Sequence, residues 1–299
     1  MRLDKYLALS LPQYTRSYIL RLIKSDCIHV NQHQKKAGYL LRSGDQVTIK
    51  IPESEPQIAL PEPIPLEILY EDDDLLVINK QAGLVVHPAP GHATGTLVNA
   101  LLHYNSVQFL QVDRFGIVHR LDQDTTGCLL LAKNRYSQTF LNNEFKERTI
   151  EKKYFALVNG HMETRQGIID FPIGRHPRNR KKMSIHARQY RSAETHWKVS
   201  CQFKYFTLLN VLLKTGRTHQ IRVHLAAINH PVVGDPLYGR NRNLHNQTEI
   251  VQTQLKQIHR QMLHAEQLRF VHPITKKSIR IVAPLPDDMA KLLDVLQKF

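Results

Sequence analysis

The sequence predicts an α+β fold in two parts: a small N-terminal α/β module, then a larger domain on a mixed, mostly antiparallel β-sheet flanked by helices. Three observations carry this. After residue 66, strand-like and helix-like stretches alternate with no regular strand–helix–strand period, which argues against a doubly wound parallel sheet. Neither a GxGxxG nor a GxxxxGK[ST] loop is present, which disfavours nucleotide-cofactor folds. Pro52, Pro56, Pro61, Pro63 and Pro65 crowd "IPESEPQIALPEPIP", a stretch that can sustain neither a helix nor a central strand. It divides the 299 residues into a module over 1–50, a linker over 51–65 and a domain over 66–299.

In the module, "LDKYLALSLP" and "TRSYILRLIKSD" place apolar residues three and four apart, as two short helices do, with Thr15 and Ser17 as candidate caps. "CIHVNQ" and "DQVTIKI" then alternate like strands. In the larger domain "LEILYEDDDLLVINK" reads as a hairpin and "TLVNALLHY" as a helix. "GIVHRLD" and "GCLLLAKN" read as strands about a turn, "YSQTFLNNEFKER" as a helix and "KKYFALVNG" as a strand. "FTLLNVLLKTG" is a strand, "THQIRVHLAAIN" a helix begun by Thr218, and "QLRFVHPITKKSIRIVAP" a hairpin. "PDDMAKLLDVLQKF" closes the chain as a helix with an apolar stripe.

With 41 Lys+Arg against 26 Asp+Glu the net charge is +15, so a polyanion is the expected large partner, and nucleic acid outranks membrane. The polar faces of the module's helices carry Arg2, Lys5, Arg16, Arg21 and Lys24, which suits phosphate contacts and equally suits a solvated helix face. No apolar run approaches the roughly 20 residues that span a bilayer, and the N-terminus lacks the pattern of a signal peptide. A cytoplasmic protein with no membrane partner is expected. Cys27, Cys128 and Cys201 form no CxxC pair and read as buried, reduced thiols.

The chemistry concentrates in "GIVHRLDQDTTG". If this segment is a strand, Arg120 and Asp122 share a face, and Asp122 sits at its end before a hydroxyl-rich turn. A carboxylate held by a cation there can act as acid, base or nucleophile. The same pattern would arise from a turn-opening aspartate in a surface ion pair, or from a metal-binding DxD pair of Asp122 with Asp124. The seventeen histidines offer His87 with His92 and His219 with His224, but a spacing of five suits neither one helix face nor a zinc knuckle, and no metal site is expected. Residues 174–191, "GRHPRNRKKMSIHARQYR", hold seven Arg/Lys and no acid; in a flexible loop such a run can clamp RNA.

The string "HRLDQDTTG" closely resembles the HRLDxxTSG signature of a pseudouridine synthase family that includes the bacterial large-subunit rRNA enzymes, with Thr126 in place of Ser. Further motifs follow in the family's order. They are "NKQAGLVVHPAPGHATGTLVNALLHY", with Gln81 where proline is usual, "KKYFALVNGH", "TGRTHQIRVHLAAINHPVVGDPLYG" and "LHAEQLRFVHP". Residues 1 to about 50 resemble the small RNA-binding module shared by a ribosomal small-subunit protein and tyrosyl-tRNA synthetases; Asp26 and Gln32 stand where that module usually has glycine.

The resemblance implies isomerisation of uridine in RNA to pseudouridine, without cofactor or metal. It implies that Asp122 is the catalytic aspartate, that Tyr154 stacks on the target base, that Arg222 pairs with Asp122, and that Arg120 enters the RNA where the base departs. Large-subunit rRNA is the expected substrate and partner, with tRNA as the alternative. Arg16 and Lys24 of the module and Arg178, Arg180, Lys181 and Lys182 of the basic run are the expected RNA contacts, and the chain is expected to be a monomer. A reading from another class, an idle RNA-binding assembly factor on the same fold, is opposed by the presence of Asp122, Tyr154 and Arg222 together.

Overall fold

The computed structural model describes residues 1–11, 16–50, 59–88, 94–239 and 247–298, without the side chains of 16–18 and 21. The chain divides into two compact units, Met1–Ile58 and Ala59–Phe299. Thr15, Pro12, His92 and linker residues 51–58 lie outside the described residues, as do the side chains of Arg16, Ser17 and Arg21.

In the first unit, helices α1 (Leu3–Ser10) and α2 (Arg16–Lys24) precede β1 (Ile28–Val30), β2 (His33–Gln34) and β3 (Val47–Ile49), which form a sheet in the order β2-β1-β3. Leu3 and Leu7 of α1 and Ile19, Leu22 and Ile23 of α2 meet Ile28 and Val30 in one buried cluster. Asp26 (φ 58°) and Gln32 (φ 65°), the two residues that stand where glycine is usual, both adopt the left-handed backbone that glycine takes without strain.

The second unit contains β4 (Glu67–Glu71), β5 (Leu75–Lys80), α3 (Leu97–Leu110), β6 (Thr126–Ala132), α4 (Arg135–Glu147), β7 (Glu151–Asn159), β8 (Gln166–Ile169), β9 (Ile173–Arg175), β10 (Met183–Ser184) and β11 (Tyr190–Arg191). It continues with β12 (Thr195–Gln202), β13 (Phe206–Leu213), α5 (Gln220–Ala227), α6 (Glu249–Lys256), β14 (Leu263–Val271), β15 (Ser278–Val282) and α7 (Asp287–Lys298). The main sheet runs β4-β5-β6-β14-β7-β13-β12-β8, with β15 also paired to β14, and every pairing except β6–β14 is antiparallel.

Both faces of its centre are covered. Leu76, Ile78, Leu129 and Leu131 pack with Leu97 and Leu101 of α3, Ile221 and Leu225 of α5, and Leu292 and Leu296 of α7. Leu75, Val77, Cys128 and Leu130 face the other way, against Leu141 of α4 and Leu268 and Phe270 of β14. That is why β6 reads as an unbroken apolar run rather than an alternation. Helix α3 begins where Asn99 Oδ1 accepts from both the backbone N–H and the hydroxyl of Thr96, and α4 begins where Asn134 accepts from the Ser137 N–H.

Five expectations are corrected. "GIVHRLD" is not a strand: Ile117 makes one bridge to Leu131, and residues 118–122 carry no ladder. The helix expected from Thr218 starts at Gln220, because His219 takes a left-handed backbone (φ 55°). The basic run 174–191 is not a plain loop but holds most of a small sheet in the order β10-β9-β11. Of the three free cysteines only Cys128 is buried, and burial pushes its thiol up to about 12; Cys27 and Cys201 are half-buried. Residues 59–65, expected within the linker, run along the second unit: Ala59 joins its core, and Asn99 donates to the Leu60 carbonyl and accepts, through its own carbonyl, from the Glu62 N–H.

Candidate active site

The segment that carries Arg120 and Asp122 is extended but is held by side chains. A tight turn over Asp113–Gly116, with Arg114 (φ 51°), Phe115 (φ 56°) and Gly116 (φ 74°) left-handed, brings the chain against β6. A Cβ on Gly116 would overlap the Ala132 carbonyl oxygen. His119 then supplies what a neighbouring strand would: its Nε2 accepts the Leu130 N–H at 2.8 Å while its ring stacks on Phe145. Burial drives His119 down to about 3, so the ring stays neutral and keeps that lone pair.

Behind Asp122 the turn is clamped. The Asp122 carbonyl accepts the Thr125 N–H, and Lys80 Nζ donates to the carbonyls of Gln123 (2.7 Å), Gln81 (2.8 Å) and Leu84 (3.0 Å). Lys80 is fully buried, and burial pulls its ammonium down to about 7 despite Asp124 and Asp122 nearby. The Asp124 carbonyl accepts from Arg260, which is itself paired with Asp288 at 2.6 Å. Gly127, where a Cβ would overlap the Ala265 carbonyl oxygen, lets β6 meet β14 closely at the turn's end.

Arg222 reaches Asp122 from α5. The start of that helix is stapled by Gln220, whose Oε1 accepts from the Thr215 hydroxyl and the Arg217 N–H and whose Nε2 donates to Thr195 and the Glu194 carbonyl. Arg222 is 4% exposed; its Nη1 donates to Asp122 Oδ2 at 2.8 Å, and its Nε and Nη2 grip Asp235 at 2.7 and 2.9 Å. Burial alone would pull the guanidinium down, yet Asp235 and Asp122 hold it above its ordinary value. Asp235 also caps its own turn, accepting from the N–H groups of Leu237 and Tyr238.

Tyr154 projects from β7, where it pairs with Val211 of β13. Burial, with Asp122 adding to it, raises its phenol, so the hydroxyl keeps its proton. Arg120, Asp122, Tyr154 and Arg222 line one cavity of about 470 Å³, a size that accommodates a nucleotide-scale ligand. Its other cations are Lys146, Arg148, Lys152, Lys214 and Arg217, and among the described residues Asp122 is its one carboxylate. Lys152 is buried and lowered by burial and by Arg148 and Lys214; Arg217 is lowered by burial and by Arg191 and Arg148. Mutual repulsion of this kind is relieved by an anion.

The four residues expected at the chemistry thus come together, although Arg120 is exposed and Asp122 half-buried instead of sharing a strand face. Arg178, Arg180 and Lys181 are exposed and Lys182 half-buried; none lines the cavity. They belong to the β9–β11 region, which packs on α5 through Ile173, Ala193 and Val223 with Met183, Ile185 and Tyr238. Lys24 is exposed at the end of α2 in the first unit. Asp124 does not line the cavity, so the structure does not form a DxD pair there. Asp72, Asp74 and His272 lie close enough to hold a cation, but Asp72 accepts from His272, Tyr70 and two backbone N–H groups, Asp74 accepts from Asn134 and Ser137, and none of the three lines the cavity.

Sequence reasoning assigned no site role to Asp235, His219, Lys80 or the cationic wall. For Asp235, His219, Lys80, Lys152 and Arg217 the signal was their place in the quoted motifs, whereas Lys146, Arg148 and Lys214 lie outside those motifs. Comparison with known proteins agrees with the geometry. Residues 74–227 match the family described as RNA pseudouridylate synthase, and residues 1–47 match the S4 domain. An uncharacterised RNA pseudouridine synthase of Bacillus subtilis is 43% identical over 299 residues, covering 99% of this chain and 94% of that protein. The ribosomal large subunit pseudouridine synthase D of Escherichia coli K12 is 43% identical over 298 residues, covering 99% and 90%. Among solved structures, human RNA pseudouridylate synthase domain containing 1 superposes with a TM-score of 0.57 at 26% identity, over 79% of this chain and 96% of that one.

Proposed function

The chain belongs to the RNA pseudouridylate synthase family, and on that footing we propose that it isomerises uridines of large-subunit rRNA to pseudouridine, with Asp122 as the catalytic group and no cofactor. The observation that carries this is one carboxylate among the described residues, gripped by Arg222, in a cavity whose lining carries seven Lys and Arg side chains, Arg222 included. That wall suits a polyanionic strand, and the lone carboxylate suits nucleophilic attack on a nucleotide delivered into it. The rRNA assignment is supported by the S4 domain over residues 1–47 and by relatives named for the large ribosomal subunit. The site of action is then the cytoplasm, where such RNA is assembled.

A stacked uridine must leave its helix to reach Asp122. Arg120, exposed at the cavity's edge, takes the space the base vacates, and the Tyr154 ring receives the base. The Asp122 carboxylate attacks, at the sugar carbon or at the ring; the bond between N1 and the sugar breaks, the base turns, the sugar carbon bonds to carbon-5, and the bond to Asp122 breaks again so that the carboxylate is regenerated. The carbon-5 proton leaves to solvent and N1 gains one, so atoms and charge balance. Lys152, Lys214, Arg148 and Arg217 hold the flanking phosphates, and Arg178, Arg180, Lys181 and Lys182 extend the track beyond the cavity.

The test uses large-subunit rRNA and tRNA transcripts carrying tritium at carbon-5 of uridine. Release of label to water from the rRNA, undiminished by chelator, is expected. Faster release from tRNA would overturn the substrate assignment, and release from neither would favour an RNA-binding factor without activity.

A further inference from the structure

Behind Asp122 lies a chain of hydrogen bonds that the reaction above leaves unused. Arg222 takes Asp122 Oδ2, while Asp122 Oδ1 faces His219 Nε2 at 3.9 Å. The other ring nitrogen, His219 Nδ1, lies 2.9 Å from the Tyr238 hydroxyl, and that hydroxyl is 2.7 Å from the Met183 backbone nitrogen. Met183 opens β10 immediately after Lys181 and Lys182, and the Lys182 ammonium lies 5.8 Å from the Tyr238 ring centre. His219 holds a left-handed backbone (φ 55°), a conformation that costs a non-glycine residue free energy and is retained where the surroundings enforce it.

The hydrogen bonds around Tyr238 favour one tautomer of the histidine. A backbone N–H can only donate, so the Tyr238 oxygen accepts from Met183. Burial pushes the Tyr238 phenol up to about 12, so it carries its hydrogen at neutral pH, and His219 Nδ1 is the acceptor in reach. Burial lowers His219; Arg222 and Arg120 push the same way, against Asp122 and Asp235, and the net direction is down. A neutral histidine that accepts at Nδ1 bears its hydrogen on Nε2, facing Asp122. The opposite tautomer would turn a bare lone pair toward a carboxylate oxygen.

We infer that His219 is a positioning residue for Asp122, locked through Tyr238 as its Nε2–H tautomer, and that this lock ties the catalytic carboxylate to the seating of the basic β9–β11 sheet on RNA. At 3.9 Å the N–H acts on Oδ1 as a dipole and opposes rotation of the carboxylate away from Arg222. Because the tyrosine oxygen takes its second bond from the backbone beside Lys181 and Lys182, a shift of β10 alters what His219 presents to Asp122. The inference rests on Asp122 being the catalytic group.

Nitrogen-15 NMR of the whole protein near pH 7 reads the tautomer directly, with His219 assigned by the signal lost in His219→Gln. An Nε2–H pattern in the wild type is expected, and an Nδ1–H pattern overturns the inference. Single-turnover tritium release supplies the second readout. Tyr238→Phe, which removes both hydrogen bonds of the hydroxyl, should lower the rate about tenfold with a melting temperature lower by only a few degrees, and an unchanged rate would overturn the tie between β10 and Asp122. His219→Gln places an amide N–H near the Nε2 position, whereas His219→Asn suits the left-handed backbone better but puts its amide near Nδ1. Gln should therefore keep more rate than Asn. The reverse order would show that His219 serves only its backbone, overturning the positioning role. A wild-type protein that releases no label from any RNA would refute the proposed reaction, and the tautomer would still judge the relay.

Discussion

Arg222→Lys tests the centre of the site because it preserves charge and removes geometry. Arg222 makes three charge-assisted hydrogen bonds, two to Asp235 and one to Asp122, at 2.7 to 2.9 Å. A lysine ammonium is a point donor that cannot reproduce the fork, so at least two of the three are lost or lengthened. At roughly 1.5 kcal/mol for each, the loss is about 3 kcal/mol. The second unit spans Ala59–Phe299, and a domain of that size loses about 2–4 °C of melting temperature per kcal/mol, so a fall of about 6–12 °C is expected. If the Asp122 bond is among those weakened, the same 1.5–3 kcal/mol at the carboxylate slows the chemical step about tenfold to a hundredfold. Thermal melts and single-turnover label release measure the two separately, with RNA affinity as the control. A variant with both wild-type melting and wild-type rate would refute the claim that the bridging guanidinium holds Asp122.

Three further outcomes follow from the same geometry. Tyr154→Phe should retain the ring and lose only what the hydroxyl does, whereas Tyr154→Ala should lose both; equal rates for the two in single turnover would make Tyr154 a core residue rather than a platform for the base. Replacing Arg148, Lys214 or Arg217 singly by Ala should reduce the slope of log affinity against log salt by about 1, and an unchanged slope for all three would remove the phosphate wall from the account. A fragment spanning 59–299 should fold and keep its chemistry while losing RNA affinity, and equal affinity of fragment and full chain across a salt series would show that the first unit does not bind RNA.

Elements that bury apolar side chains at a regular period were legible in the sequence: β6, the β4–β5 hairpin and α7 all read correctly. The error at "GIVHRLD" has a physical cause. Val118, Arg120 and Asp122 alternate as a strand does, but the neighbouring N–H of Leu130 goes to the His119 ring, a substitution that local pattern cannot reveal. β12 escaped notice because "THWKVSCQ" is half exposed along its length and mixes Thr, Lys, Ser and Gln with its apolar residues. The basic run read as a loop because charge hides the short pairings that Ile173 and Met183 anchor. At the site, Asp122, Tyr154 and Arg222 were legible through motif resemblance, whereas Asp235 and His219 were not, because each acquires its role only when α5 brings Arg222 against both carboxylates.

The most direct measurement of the account is tritium release from carbon-5-labelled large-subunit rRNA by Asp122→Asn, run beside its RNA affinity. The amide keeps the shape of the side chain and removes the nucleophile, so label release should vanish while affinity, which comes from phosphate contacts elsewhere, changes little. Release by Asp122→Asn at the wild-type rate would contradict the assignment of Asp122 as the catalytic group.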